Sequence, residues 1–265
     1  MTVAERINAE RFVLAGWSRA ILLQLAHPLV AQGVADHSTF RAGMFAAAVR
    51  LHHTVAAMRR LTFGGASDAR QALDGILAIH RRVNGTLREA VGPHPAGASY
   101  SAEDPALVLW VHVTLIDSLP RVYDAIVAPL SDAERDAWCR ESAPLARALG
   151  AIGDVPESWD ALQGHLAQMF ASGSIIVGPT ARALARDVLS PRFSAIVAPL
   201  RASNRLVTVG LLPSSVREQY GFGWSARDQR RLHRALGLLR AMRRLTPTRL
   251  AHWPDARARA KSASR

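Results

Sequence analysis

The sequence predicts an all-α protein with a single multi-helix domain, and three observations support this. Alanine and leucine dominate a composition that is 49% hydrophobic and only 6% aromatic, which favours helix. Apolar residues recur at three- and four-residue steps in most segments, without a convincing β-hairpin or alternating strand. No Gly/Pro/Ser-rich linker divides the 265 residues. We therefore predict one domain over residues 1–250 and a basic, disordered tail over 251–265.

Four helical segments are predicted in the first part of the chain. They cover residues 3–26, 29–35, 41–62 and 68–88. His27-Pro28 ends the first, because a residue before proline is pushed out of the helical conformation. Gly64-Gly65 ends the third, and Ser67 is an N-cap for the fourth.

Helices are also predicted after a loop over residues 92–99. Two capping-box patterns begin the next two, residues 101–104 and Ser131 with Glu134. The first of these helices is expected to end before Pro120. The later helical segments are residues 156–170, 179–189, 191–209 and 225–246.

His80 is the first candidate ligand, because it lies in an apolar stripe of the segment 68–88. The stripe consists of Leu73, Ile76, Leu77, Val83 and Leu87. Neutral imidazole is the usual protein ligand of haem iron, and an apolar surface suits a porphyrin. Judged from spacing alone, a histidine in such a stripe is more often a core residue whose nitrogens are hydrogen-bonded within the protein than a metal ligand.

A second candidate lies on the segment 41–62. Adjacent helical residues are about 100° apart, so only one of His52 and His53 can face a given pocket. His53 is preferred because it shares a face with Arg50 and Thr54. Arg50 could pair with a haem propionate or polarise bound oxygen. A surface histidine and an ordinary ion pair are the alternatives for these positions.

Other catalytic and metal-binding motifs are absent from the sequence. Cys139 is the only cysteine, which excludes an internal disulfide and a cysteine metal cluster. There is no Glu-x-x-His pair, no His-Glu-x-x-His zinc motif and no Gly-x-Ser-x-Gly nucleophile turn. A Gly-x-Gly-x-x-Gly dinucleotide motif after a strand is also missing.

An ordered series of short blocks resembles one family. The blocks are Gln24-Leu25-Ala26-His27-Pro28, Gly33-Val34, His37-Ser38-Thr39-Phe40, Arg50 with His53-Thr54, Phe63-Gly64, Ile79-His80 with Val83-Asn84-Gly85, Tyr100 to Pro105, and Trp110-Val111-His112. They resemble the haem-containing oxygenases that include the rubber oxygenases (latex-clearing proteins) and the fungal membrane-bound oxygenase of mycophenolic acid biosynthesis. The resemblance covers roughly residues 10–245.

The resemblance implies a distantly globin-like all-α domain that binds haem b. His80 matches the proximal iron ligand, while Arg50 and Thr54 match polar residues near the distal side. His53 stands where rubber oxygenases carry a distal lysine. A histidine there could become a sixth iron ligand or hydrogen-bond bound oxygen, and the first possibility puts rubber-like cleavage in doubt.

The net charge and the hydropathy of the chain lead to expectations about its partners and its location in the cell. The formal net charge is +12, and Lys261 is the only lysine. Such a charge could mark a nucleic-acid or anionic-membrane partner, but a solvated helical surface in a protein that favours arginine is the commoner case. Specific nucleic-acid binding is not expected, because the arginines are not interleaved with exposed aromatics. The N-terminus lacks the features of a signal peptide, and no apolar run approaches the roughly 20 residues of a membrane span. We expect a cytoplasmic protein that can contact a membrane peripherally.

Two functions from different classes are compatible with these patterns. The first is a haem b-dependent oxygenase that activates dioxygen with His53, Arg50 and Thr54 and oxidises an apolar small substrate of the isoprenoid or alkene kind. The second is non-catalytic: a haem-binding sensor or carrier, or a helical docking module that uses the basic surface of residues 225–246.

Overall fold

The chain is all-α, as predicted. The computed structural model describes residues 1–37, 44–189 and 198–262, with the backbone alone for 44–52 and 198–203. The helices described are α1 (Val3–Ala9), η1 (Arg11–Gly16), α2 (Trp17–Leu25), α3 (Pro28–His37), α4 (Met44–Phe63), α5 (Ala66–His80), α6 (Pro105–Ile126), α7 (Asp132–Ala148), α8 (Trp159–Ala171), α9 (Pro179–Leu189), α10 (Ala198–Gly210), α11 (Ser214–Gln219), α12 (Ala226–Leu245), α13 (Thr248–Ala251) and α14 (Pro254–Ser262). The predicted helix starts at residues 41 and 191 lie outside the described residues.

Helix α6 is the centre of the core. Most of its residues are buried, and it packs against η1, α2, α7, α8 and α12. Its Trp110 is fully buried and meets Phe170 of α8 edge-on, with ring centroids 6.0 Å apart. An apolar helix of 22 residues is stable here because other helices cover it on nearly all sides.

The predicted helix start signals are confirmed in part. Ser131 caps α7 in a complete capping box with Glu134, as predicted. Ser225, which the sequence analysis did not single out as a cap, begins α12 in the same way with Asp228. Helix α5 begins earlier than predicted, with Gly65 and not Ser67 at the N-cap position.

The N-cap of α6 is Asp104 and not Ser101. The Asp104 carboxylate accepts hydrogen bonds from the backbone N–H groups of Ala106 and Leu107. Pro105 occupies the first helical turn, where its missing N–H costs nothing. The start of α6 is thus stabilised by an acidic cap followed by proline.

The predicted helix over 68–88 is too long. Helix α5 ends at His80, and two short antiparallel strands follow, β1 (Asn84–Thr86) and β2 (Ser99–Ser101), with Gly85 opposite Tyr100. Val83 and Leu87, which the helical pattern included, therefore lie outside the helix and beside β1. The sequence predicts no hairpin here, since each strand has only three residues.

The sequence predicts a disordered tail over residues 251–265, but the structure contains helix in the part of this segment that it describes. Residues 254–262 form α14, which packs against α1 and α4. Trp253 anchors it: its backbone N–H donates to the Ala9 carbonyl at 3.1 Å. Arg59 of α4 adds an ion pair with Asp255 at 2.6 Å. These contacts order a segment whose composition alone resembles a solvated tail.

Among the described helices, α6 is long and apolar enough to cross a membrane by length and composition. The bent pair Arg11–Leu25 and Pro28–His37 passes the same test only if counted as one broken span. In α6, 78% of the most apolar window is buried inside the protein, which is the behaviour of a core helix.

Candidate functional site

Helices α4 and α5 form a hairpin around Gly64 and Gly65. A Cβ on Gly64 would lie 2.5 Å from the Arg60 carbonyl oxygen and 2.8 Å from Asp68 Cβ, so the turn needs glycine. Across the hairpin Arg60 hydrogen-bonds Gln71 and lies 3.6 Å from the Asp68 carboxylate. The two helices pack against each other beyond the turn.

The turn at Gly64 and Gly65 determines which part of α4 lies beside His80. Arg60 faces Gln71, and His80 follows Gln71 by nine residues. Because both helices rise by about 1.5 Å per residue and run in opposite directions from this turn, we expect the end of α5, with His80, to lie beside the N-terminal half of α4, which carries Arg50 and His53.

His80 is the last residue of α5 and is half-buried. Its Nδ1 is fully buried and has no hydrogen-bond partner among the described residues. Burial lowers the pKa of His80 below its ordinary value of 6.5, while the negative charge of Glu103 partly opposes this shift. The ring is therefore neutral at pH 7, and its buried nitrogen is not engaged by any residue that the structure describes.

The strand pair brings Glu103 close to His80. The Val83 N–H donates to the His80 carbonyl at 3.0 Å, and the Ala102 N–H donates to the Val83 carbonyl at 2.8 Å. This ladder ties the end of α5 to the segment before α6. The sequence pattern assigned residues 101–104 to helix capping and so missed Glu103 as a neighbour of His80. Only the pairing of β1 with β2, which joins segments distant in sequence, could have indicated it.

The residues predicted for the opposite side of the site lie on α4. His53 and Thr54 are exposed on that helix. The backbone of Arg50 and His52 is helical, but their side chains lie outside the described residues. The structure therefore places the predicted ligand and the predicted distal residues on two helices that pack against each other, and their proximity around one site stays a prediction.

The sequence left the roles of three other histidines open, and His27 and His37 lie near the strand pair or its loop. Burial, followed by the nearby His94, lowers the pKa of His27 to about 4. The two rings are 5.0 Å apart, and His27 Nδ1 accepts the Leu29 N–H at 3.3 Å. His37 Nε2 lies 2.9 Å from the Asn84 carbonyl oxygen of β1. Both rings bridge segments of the fold.

His112 is the third of these histidines, and it is buried in α6. Its Nε2 has no hydrogen-bond partner among the described residues, and burial lowers its pKa to about 4. No residue described as its neighbour carries a charge that acts on it. It is a neutral core residue in the structure.

The donor chemistry of His80 fits a haem iron. An iron ligand must be a neutral imidazole with an available nitrogen, and among the described residues His80 has both properties. His112 shares them, so the choice of His80 rests on its family block as well. A porphyrin supplies four ligands of its own, so one protein nitrogen is sufficient. Within the described ranges, His, Cys, Asp and Glu side chains form no group of three or more that could hold a metal ion without such a macrocycle.

A small cavity elsewhere on α4 is not the predicted haem pocket. It lies between Val55 and Met58 of α4, Glu10, and Trp253 of the C-terminal segment. Its volume is about 20 Å³, which is space for one water molecule. His80 does not line it.

The chain is similar to known proteins over most of its length. Residues 5–241 match the family described as "ER-bound oxygenase mpaB/B'/Rubber oxygenase, catalytic domain". An uncharacterized protein of Mycobacterium tuberculosis is 29% identical over 238 residues, which is 86% of this chain and 88% of the relative. An uncharacterized protein of Mycobacterium bovis matches with the same identity and coverage. No solved structure matches significantly.

Proposed function

Since the chain belongs to the family of the ER-bound oxygenase mpaB/B' and rubber oxygenase catalytic domains, we propose that it is a haem b-dependent oxygenase with His80 as the iron ligand. The observation that carries the proposal is the buried Nδ1 of His80, which has no partner among the described residues on a ring that burial keeps neutral. A buried polar atom without a partner costs free energy, so its presence favours a ligand at this site.

Haem supplies one-electron and dioxygen chemistry, and the protein supplies position and charge. In our proposal His80 holds the group from the end of α5. The negative charge of Glu103 would favour a proton on the imidazole nitrogen that does not bind iron. The ladder through Val83 and Ala102 keeps this carboxylate near the ligand.

On the facing helix we propose distal roles for Arg50, His53 and Thr54. Arg50 is a permanent cation that can stabilise negative charge developing on a reacting oxygen. His53 would donate a hydrogen bond to that oxygen, or would itself bind the iron. His53 and Thr54 are exposed on α4, so both can reach a ligand without breaking core packing.

The substrate that we propose is an apolar small molecule of the isoprenoid or alkene kind. The support is the family description, which includes rubber oxygenases. Such a substrate offers no charge to bind, so the protein must hold it by removing apolar surface from water. Dioxygen is the second substrate.

The test is the visible spectrum of the full chain purified with and without added haemin. We expect one haem per chain and a Soret band that is lost in His80→Ala. His165→Ala is the matched control, because His165 is another half-buried histidine whose pKa is lowered by burial. A protein that binds no haemin, or a His80→Ala variant that keeps the wild-type spectrum, contradicts the proposal.

Oxygen uptake with apolar alkenes then separates an oxygenase from the sensor or carrier that is the alternative. A high-spin spectrum and alkene-dependent oxygen consumption support the oxygenase. A low-spin spectrum that becomes high-spin in His53→Ala, without oxygen consumption by the wild type, favours the non-catalytic function.

A further inference from the structure

Helix α12 presents one continuous face to solvent. Six exposed residues at steps of three or four form this face, which we call the α12 stripe: Arg227, Arg231, Arg234, Leu238, Met242 and Leu245. On the other side of the helix, Leu232 is buried and Arg240 donates to the carbonyls of Asp124 and Ala125. Helix α12 packs on α6 and α10, and Arg243 adds an ion pair with Glu10.

The C-terminal half of the stripe is apolar and exposed. The exposed fractions are 63% for Leu238, 49% for Met242 and 84% for Leu245. Leu250 of α13 follows, with 58% exposed. Single exposed leucines are common, but a contiguous line of large apolar side chains marks a surface that is covered by a partner.

The remainder of the surface is cationic. No acidic residue occurs from Gln229 to Pro254. Three arginines form the N-terminal half of the stripe, and one of them, Arg231, lies 3.5 Å from the Asp228 carboxylate. Exposed Arg244 and Arg249 lie beside the apolar half, and exposed Arg230 lies beside the arginine half. The partner must therefore be anionic where it meets the arginines and apolar where it meets the leucines.

We propose that the α12 stripe docks on an anionic lipid surface. Guanidinium groups pair with lipid phosphates, while leucine and methionine side chains enter the boundary between headgroups and acyl chains. A nucleic acid satisfies the arginines but offers nothing to three exposed apolar side chains, and exposed aromatics for stacking on bases are missing from the stripe. This docking goes beyond the proposed oxygenase function and does not depend on haem.

The experiment is co-sedimentation of the full chain with vesicles of phosphatidylcholine alone and of phosphatidylcholine mixed with phosphatidylglycerol. We expect binding to the mixed vesicles that weakens as salt rises. The combined variant Arg227→Gln, Arg231→Gln and Arg234→Gln should bind more weakly by on the order of a hundredfold. Leu238→Gln, Met242→Gln and Leu245→Gln together should lower binding roughly tenfold or more.

The matched control removes three exposed arginines far from α12 in sequence: Arg70→Gln, Arg140→Gln and Arg186→Gln. It carries the same net charge as the arginine variant and should keep most of the vesicle binding. An equal loss in this control means that diffuse charge attracts the vesicles, and it overturns docking through the stripe. Absence of wild-type binding, or unchanged binding in both stripe variants, overturns it as well.

Two further measurements keep the result interpretable. Far-UV circular dichroism and thermal unfolding should be unchanged in all variants, because the substituted side chains are exposed. In Leu238→Trp, tryptophan emission should shift to shorter wavelength with anionic vesicles and not with duplex DNA. A shift with DNA alone would assign the surface to nucleic acid and contradict the proposal.

Discussion

Trp138 of α7 donates a hydrogen bond from Nε1 to the carbonyl oxygen of Ile116, at 2.8 Å. Ile116 is four residues before Pro120, so its carbonyl is the one that loses its helical partner because proline has no N–H. Both side chains are buried, and water is not a substitute partner there. The indole N–H thus lets α6 continue past Pro120 to Ile126.

This bond predicts a specific double-mutant result. Trp138→Phe should lower the free energy of unfolding by about 2 kcal/mol, because a buried carbonyl is left without a donor and some packing is lost. In the background of Pro120→Ala the same substitution should cost less, because the introduced alanine restores a backbone N–H donor to the Ile116 carbonyl. Urea unfolding of the four proteins measures the coupling. Purely additive losses would contradict this account of Trp138.

The same bond explains why the sequence predicts the wrong end for α6. Proline normally ends a helix, and the rule is local, whereas the compensating donor lies 22 residues away in sequence. Helix existence and type follow from apolar periodicity, and the caps Ser131 and Ser225 are local signals too. The strands at residues 84–86 and 99–101 and the packing of α14 depend on tertiary contacts, so local patterns do not predict them.

His112 predicts a loss of stability at mildly acidic pH. Its pKa is about 4 in the folded protein because of burial, and 6.5 is the ordinary value. Between these values the unfolded chain takes up a proton that the folded protein does not. The contribution of the neutral His112 to the free energy of unfolding is therefore fully present above about pH 6.5. It is lost as the pH drops towards 4, by about 3 kcal/mol in total. His27, whose pKa is also about 4, acts in the same direction.

The measurement is the unfolding free energy of His112→Leu against the wild type between about pH 7 and pH 4.5. At pH 7 we expect stability to be retained, since a leucine of similar size replaces a ring whose Nε2 has no partner among the described residues. The dependence on pH should be weaker in the variant. His233→Leu, at an exposed site on α12, is the control and should keep the wild-type dependence. If the unfolding free energies of His112→Leu and the wild type vary with pH in parallel, His112 is not the source of the loss of stability in acid.

Trp253 should stabilise α4 as well as the C-terminal segment. The guanidinium carbons of Arg11 and Arg59 lie 4.7 Å and 5.0 Å from the ring centroid, and the ring packs against Phe63 and Ala9. Trp253→Ala should lower the free energy of unfolding by about 3 kcal/mol through lost packing and cation–π contacts.

The local part of this effect is measurable by amide hydrogen exchange. We expect faster exchange in α4 and α14 of Trp253→Ala, and little change in α6. Trp253→Phe keeps an aromatic face for both arginines and should restore most of the protection. Uniform acceleration over the whole chain would instead mean that the substitution changes global stability alone.

The candidate site was predictable to different degrees. His80 was chosen as the candidate ligand because it lies in an apolar stripe and matches a family block. The structure adds that its Nδ1 is buried and has no partner among the described residues. His53 and Thr54 lie on α4, and their grouping with Arg50 at one site stays a prediction. Glu103 was missed, because its proximity to His80 arises from strand pairing and not from any local spacing.

Gly85 links this strand pair to the proposed haem site. A Cβ at Gly85 would lie 2.6 Å from Tyr100 Oη and 2.8 Å from Tyr100 Cζ. Tyr100 cannot move freely, because its hydroxyl donates to Asp36 at 2.8 Å. Gly85→Ala should therefore displace β1 from β2, lower stability by about 1–3 kcal/mol, and weaken the hold on His80 at the end of α5.

Gly75→Ala is the matched control on the same hairpin. Gly75 lies inside α5, and a Cβ there meets nothing within 4 Å. Alanine is the better helix former by about 1 kcal/mol, so this variant should be more stable than the wild type. Haemin titration of both variants tests the connection between the strand pair and the ligand. Gly85→Ala should bind haemin more weakly, and Gly75→Ala should bind it as the wild type does. If Gly85→Ala is destabilised but keeps full haemin affinity, the strand pair does not position His80, and the ring is held by α5 alone.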